Sequence, residues 1–278
     1  MLPEHPHTFW NGEAAQRWVR QQPHLDHLLG SWLDAGLLAA APRAGERVLD
    51  VGCGAGTSTL ALAEAVGPDG EIVGVDVSGP LLAHARARAG ENSPITWILG
   101  DAGSAEIPGP FDLLFSRFGV MFFPDPLAAM RHLVAHLRPG GRVCFVVWRS
   151  MDQNPWFSIA LSIADALVGP LPAADPTAPG PASWADADRL SRLLTDAGLA
   201  ELRFTPVDLP APTPATLDQA VHEALTLGPI ERYMLSASPQ IRAAAAERLR
   251  QALDDGQGRP RVLTGAVWIV TGHRPDSP

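Results

Sequence analysis

Residues 48–63 read VLDVGCGAGTSTLALA: a short apolar run, a turn with glycines at 52, 54 and 56, and the start of an amphipathic helix. A chain written this way leaves a buried strand, reverses within a few residues and enters a helix. That step is the repeating unit of α/β folds. It recurs from residue 46 onward. The strand candidates are RVLDVG (47–52), EIVGVDV (71–77), ITWIL (95–99), FDLLFS (111–116) and RVCFVVW (142–148). Helix candidates lie between them at 57–66, 79–89 and 125–137. Strands apolar on consecutive positions are buried on both faces, which marks a parallel sheet wrapped by helices. GPDG (67–70) and RPGG (138–141) are turn signals placed where helices stop. The expected fold is α/β, a doubly wound Rossmann-like unit.

The flanks carry a different texture. Residues 11–40 read as helical, with Trp18, Val19, Leu25, Leu28, Leu29, Trp32, Leu33 and Leu37 near helical spacing. After 150, the proline-rich stretch 168–183 reads as a loop, ADADRLSRLLTDAGL as a helix ending at Gly198, and AELRFTPVDL as a strand. Helical stretches are expected at about 216–228 and 239–254, and a last strand in RVLTGAVWIVTGH (261–273). The division expected is an N-terminal helical gate (1–45), a nucleotide-binding core (46–150), and a remainder (151–278) that resumes the sheet with helical cap or lid insertions, all in one composite domain.

At 278 residues the chain buries a full core without staples. Its formal charge of −9 argues against a polyanionic partner, so no nucleic acid is expected. The basic side chains are all arginine; there is no lysine. Two cysteines, Cys53 and Cys144, make neither a disulfide framework nor a metal cluster, and no His/Asp/Glu group has metal-ligand spacing. The opening residues lack a signal-peptide pattern and no stretch is long enough to span a bilayer. A cytoplasmic protein without membrane association is expected, with a homodimer left open.

A phosphate-binding P-loop requires a lysine, which this chain does not have. The dinucleotide fingerprint G-x-G-x-x-G places its third glycine one position later than Gly56. Asp50 adds a carboxylate at the strand end, suited to an amine and opposed to a diphosphate. A nicotinamide-dependent oxidoreductase keeps only the fold and an acid, Asp76, 20 residues after Gly56.

VLDVGCGAGTSTLALA resembles the first motif of class I S-adenosylmethionine-dependent methyltransferases, D-x-G-x-G-x-G. The later motifs follow in order: GVDVS with Asp76, LGDAG with Asp101, FDLLFS, and HLRPGGRVCFVVW. The small-molecule members, those like the ubiquinone-biosynthesis and glycine N-methyltransferase groups, are the nearest in pattern. The resemblance implies a seven-strand sheet, mostly parallel with the last strand antiparallel. It implies S-adenosylmethionine as cofactor and S-adenosylhomocysteine as product. Asp50 with Gly52, Cys53, Gly54 and Gly56 would face the methionine end, Asp76 the ribose, and Asp101 with Ala102 the adenine. Val77 would lie under the adenine and Ser116 along the methionine end. FWNGEAAQRW (9–18) is similar to the N-terminal segment of glycine N-methyltransferases, which implies cofactor contacts for Phe9 or Trp10, and for Trp18.

The acceptor half is less legible. SRFGVMFFPDP (116–126) lacks the [D/N]-P-P-[Y/F] pattern of enzymes that methylate adenine or glutamine nitrogen. A small metabolite, methylated at O, N or C, is expected instead. Arg117 reads equally as a clamp for an acceptor carboxylate or phosphate and as a structural partner of an acid such as Asp125. Trp148, Asn154 and Trp156 are pocket candidates against a packing alternative, and Tyr233 is the lone tyrosine of the expected cap. Arg117, Trp148 and Tyr233 are the catalytic candidates. His5 and His7 could fold over the cofactor; His84 and His132 should sit solvated on flanking helices. A protein that binds the cofactor without transferring methyl has the same loop and stays open at this point.

Overall fold

A computed structural model describes residues 6–91, 93–171, 175–227, 230, 233–234 and 236–276. The elements in chain order are α1 (Pro6–Phe9), α2 (Glu13–Arg20), α3 (Gln22–Ala40), β1 (Arg47–Val51), α4 (Thr57–Val66), β2 (Glu71–Asp76), α5 (Gly79–Ala89), β3 (Thr96–Leu99), β4 (Phe111–Arg117), α6 (Pro126–Ala135), β5 (Leu137–Trp148), α7 (Pro155–Val168), α8 (Ala187–Asp196), β6 (Ala200–Pro210), α9 (Leu217–Leu227), α10 (Pro239–Leu253) and β7 (Thr264–His273). One seven-stranded sheet has the order β3-β2-β1-β4-β5-β7-β6. The β1–β2, β1–β4, β2–β3 and β4–β5 pairs are parallel and β7 runs antiparallel to β5.

The consecutive apolar residues of the strands are buried as their pattern predicts. Val48, Leu49, Leu113, Leu114, Phe145 and Val146 are each 0% exposed, and each such side chain contributes about 1.5–3 kcal/mol by leaving water. Helix α3 lies on β4 and β5, α4 on β1 and β2, and α5 on β2 and β3, while α6 meets β5 and α8. From β1 the chain moves outward through β2 and β3, then returns to the other side of β1 as β4. The switch point between β1 and β4 opens a crevice outside the carboxyl ends of those strands. This order sets the glycine turn after β1 beside the turn after β4.

Three features depart from the expected pattern. The helix read across 11–40 is two helices meeting at Gln21, which caps both, with a proline in the first turn of the second where its missing N–H costs nothing. RPGG lies within β5 rather than before it: the pairing jumps from Phe111↔Leu137 to Leu113↔Arg142, so the glycines form an irregular loop-out in a paired strand. Helix α7, Pro155–Val168, is the third, standing where no helix is expected.

The described residues fall into two compact units. One draws on Met1–Trp148, Pro176–Val207 and Val267–Pro278, the other on Arg149–Asp175 and Asp208–Ala266. The second has its own apolar cluster, in which Ala164, Ile230, Ala245 and Leu249 are fully buried among α7, α9 and α10. Among the described residues, no helix is long and apolar enough to cross a membrane and no group of His, Cys, Asp and Glu could hold a metal.

Candidate functional site

The turn after β1 is held by β2: the Gly52 and Cys53 N–H groups donate to the Val75 carbonyl at 2.9 and 3.1 Å. Gly56 is required by the protein's own packing. Its φ is +84°, and a Cβ there would stand 2.8 Å from Trp97 and 3.0 Å from Ala85. Gly54 is different. Its φ is +53°, yet a Cβ would meet nothing within 4 Å. Its N–H donates to Asp76 Oδ2 at 2.7 Å. Backbone bordering open space at a switch point is where a ligand can approach closely.

Three acids come with this turn. Asp50 is 0% exposed. Its Oδ2 accepts from the Ser58 and Thr59 hydroxyls at 2.7 and 2.6 Å, while its Oδ1 is buried without a hydrogen-bond partner. Burial pushes its pKa up to about 6, with the two hydroxyls and the Arg117 charge opposing that rise. Asp76 is gripped at both oxygens, by Gly54 N–H and by Ser78 N–H at 2.8 Å. Burial raises its pKa and the backbone N–H groups hold it down. Each oxygen keeps a lone pair for a ligand hydroxyl. Asp101 is exposed after β3 and accepts from Gly103 N–H at 2.8 Å. Ala102 beside it is buried and Val77 is partly exposed. Burial, with the Asp76 and Asp50 charges, holds the Cys53 thiol well above its usual range, so Cys53 acts as a small apolar side chain.

The N-terminal segment docks on this turn through a residue that the sequence reading passed over. Asn11 Nδ2 donates to the His7 and Val77 carbonyls at 2.8 and 2.9 Å, and its Oδ1 accepts from Gly79 N–H at 3.0 Å. Ala15, 0% exposed, packs with Ala55 of the glycine turn and Leu81 of α5. Trp10 sits at the centre of an edge-to-face cluster with Phe9, Trp18 and Phe122 at 5.0, 5.4 and 5.7 Å. Beneath the turn, Asp26 of α3 binds Arg88 of α5 at 2.7 Å and accepts from the Thr57 hydroxyl of α4. The contacts that join this segment and α3 to the core span large sequence separations. The Asn-Gly pair at 11–12 was the only local signal.

At the end of β4 the Ser116 hydroxyl is buried and engaged. It donates to Val51 O at 2.7 Å and accepts from the Gly119 and Val120 N–H groups. Arg117, partly exposed, makes one hydrogen bond among the described residues, to Leu29 O at 3.4 Å, and no ion pair. Burial lowers its pKa while the Asp26 and Asp50 charges raise it. Arg117 forms no ion pair with Asp125, whose carboxylate caps α6 at Ala128 N–H; the acids whose charge reaches it are Asp26 and Asp50. Phe118 adopts φ +65°, a left-handed conformation that costs a bulky L-residue roughly 1–2 kcal/mol. Its ring stacks on Trp148 at 4.2 Å with 8° between planes.

The Asn154 amide is spent on backbone, donating to Arg149, Ser150 and Ala266 carbonyls and accepting from Ala266 N–H at 2.8 Å, which removes it from an acceptor pocket. Trp156 packs on Phe157 at 4.2 Å. Tyr233 packs on the apolar cluster of the second unit. His7 is exposed, and His5 lies outside the described residues. His84 is partly buried on α5. His132 is not simply solvated: its Nε2 is 2.9 Å from Ala105 O and its ring meets His136.

A nucleoside with a charged amino-acid tail fits these groups. The partnerless Asp50 oxygen matches an ammonium, the open side of Gly54 gives backbone access, and the oriented Asp76 carboxylate matches a diol. Residues 48–141 match the family described as Methyltransferase domain. The chain is 30% identical over 251 residues to the nocamycin O-methyltransferase of Saccharothrix syringae, covering 84% of this chain and 86% of that protein. It is 36% identical over 107 residues to the aklanonic acid methyltransferase DauC of Streptomyces sp. (strain C5), covering 37% of this chain and 49% of that one. The solved YcgJ protein from Bacillus subtilis shares the fold at a TM-score of 0.59 and 20% identity, over 88% of this chain and 99% of that chain. The chain belongs to the class I S-adenosylmethionine-dependent methyltransferases and methylates a small molecule.

Proposed function

We propose that the protein methylates an oxygen of a small acidic acceptor, with Arg117 holding the acceptor's negative charge at the end of β4. The observation that carries this is the guanidinium itself: it lies at the switch-point edge with a single long hydrogen bond and no ion pair among the described residues. A cation in that state has donors to offer an anion, and arginine offers them as a planar fork suited to a carboxylate. The relatives' names agree, one being an O-methyltransferase and the other acting on an acid.

When bound, S-adenosylmethionine would supply an electrophilic methyl group for transfer to the acceptor oxygen, with S-adenosylhomocysteine as the product. The chain's part is placement and exclusion of water. Asp50 would take the ammonium, Gly54 the backbone approach, Asp76 the ribose hydroxyls and Asp101 the adenine amino group. The segment from Phe9 to Trp18 would cover the cofactor. An acceptor that binds ionised needs no general base.

The test is a panel of carboxylic acids, phenols and amines incubated with methyl-labelled cofactor, with products read by mass spectrometry. Label is expected on oxygen of an acid. Arg117→Gln should raise KM for that acid by about tenfold or more, while S-adenosylhomocysteine affinity, measured at about pH 8 where Asp50 with its pKa of about 6 stays ionised with or without the Arg117 charge, should change far less than that. Label confined to amines would overturn the proposal. A loss of S-adenosylhomocysteine affinity would reassign Arg117 to the cofactor.

A further inference from the structure

Resting on the acid-acceptor reading above, we propose that the ring of Phe118, laid flat on Trp148 and next in the chain to Arg117, is the floor on which the acceptor stacks, so that the substrate class is planar, conjugated acids. Phe118 follows Arg117 directly at the carboxyl end of β4, next to the turn that Gly119 makes against Gly52 of the glycine loop. Its φ of +65° lies in the left-handed region, where asparagine or glycine would relax the backbone and a bulky side chain does not. The surroundings hold that conformation in place. Phe118 N–H donates to Val146 O at 2.9 Å, and the Ser116 hydroxyl accepts from the next two N–H groups. Strained backbone over-determined in this way is characteristic of functional positions.

What the strain achieves is the aim of one ring. Phe118 and Trp148 are parallel within 8° at 4.2 Å, while most aromatic contacts around them are edge-on. Trp148 is also met edge-to-face by Trp32 at 5.5 Å and 70°. It is 5% exposed, whereas Phe118 keeps part of its surface. Of the two stacked rings, Trp148 is the buried one and Phe118 the one that keeps surface for a ligand. A further planar π-system continues such a stack, whereas a saturated group gains only burial and has no preferred plane. Arg117, adjacent in the chain, supplies the charge and a guanidinium plane compatible with an aromatic neighbour.

The test is calorimetry on the full chain saturated with S-adenosylhomocysteine. The probes are 2-naphthoate and anthracene-2-carboxylate, with decalin-2-carboxylate as the saturated control. The planar acids are expected to bind at least about tenfold tighter than the saturated one. Phe118→Asn suits the left-handed backbone and should keep the melting temperature and S-adenosylhomocysteine affinity, while losing at least about tenfold for the planar acids. Phe118→Leu, which keeps apolar bulk without a ring, should lose the preference for planar over saturated. Equal binding of planar and saturated acids, or unchanged planar-acid binding in Phe118→Asn, overturns the proposal. So does absence of planar-acid binding to a protein that takes S-adenosylhomocysteine, and then this proposal alone falls. A wild-type protein that does not bind S-adenosylhomocysteine takes down the cofactor assignment and this proposal together.

Discussion

Asp50 is a carboxylate kept out of water with one oxygen bonded twice and the other bare. Its pKa rises from 3.8 to about 6, so the folded chain holds this proton more tightly than the unfolded chain does. Stability then falls as pH rises from about 4 to about 6, by an amount on the order of 3 kcal/mol, and stays lowered above that. A bound ammonium reverses the effect by favouring the charged form. Cofactor binding near pH 6 should therefore release a proton, and S-adenosylhomocysteine affinity should climb between about pH 5 and pH 7. Calorimetry in two buffers of different ionisation enthalpy reads that proton directly. Asp50→Asn should abolish the release, flatten the pH profile and raise the melting temperature at neutral pH. Proton release unchanged in that variant would place the titrating group elsewhere. At this scale the strand-end acids were legible because each follows a locally apolar run. Arg117 was legible as a charge in an apolar setting, but its lack of an ion pair depends on where Asp125 points, which no local pattern records. The flat stack of Phe118 on Trp148 joins residues 30 apart and left no trace in either segment.

Among elements, the N-terminal segment and the glycine turn act as a pair. The segment is short, and it holds the core through two hydrogen bonds of Asn11, the buried Ala15 and the Trp10–Phe122 ring contact. Asn11→Ala removes bonds each worth about 0.5–1.5 kcal/mol. It should weaken S-adenosylhomocysteine binding by about three- to tenfold, and speed proteolysis within the first 20 residues while leaving the global melting temperature nearly unchanged. Undiminished affinity together with faster proteolysis would mean that the segment does not cover the cofactor. Helix and strand limits in the core were readable within a residue or two, since Gly67, Gly90 and the Ser78 cap stand at the ends of real helices. The break at Gln21 and the loop-out at RPGG were not. The first is set by packing of α2 on α5, and the second by the pairing of β4 with β5. Tertiary contacts override local signals at both places.

For the molecule as a whole, the alternation of apolar runs with helical patterns fixes an α/β class, and the family resemblance adds the seventh strand and its direction. The gathering of α7, α9 and α10 into a unit with its own core was only partly legible, because the proline-rich flanks give no pairing information. The acceptor side depends on long-range geometry and was correspondingly faint. The claim on which the rest depends is that the crevice between β1 and β4 holds an amino-acid-tailed nucleoside rather than a dinucleotide. Calorimetric titration of S-adenosylhomocysteine and of NAD into wild type and Asp76→Ala, with melting temperature as the check on folding, tests it most directly. S-adenosylhomocysteine should bind wild type with one site, NAD should not, and Asp76→Ala should lose at least about 1–3 kcal/mol of affinity while remaining folded. Binding of NAD alone, or unchanged S-adenosylhomocysteine affinity in the folded variant, would contradict it.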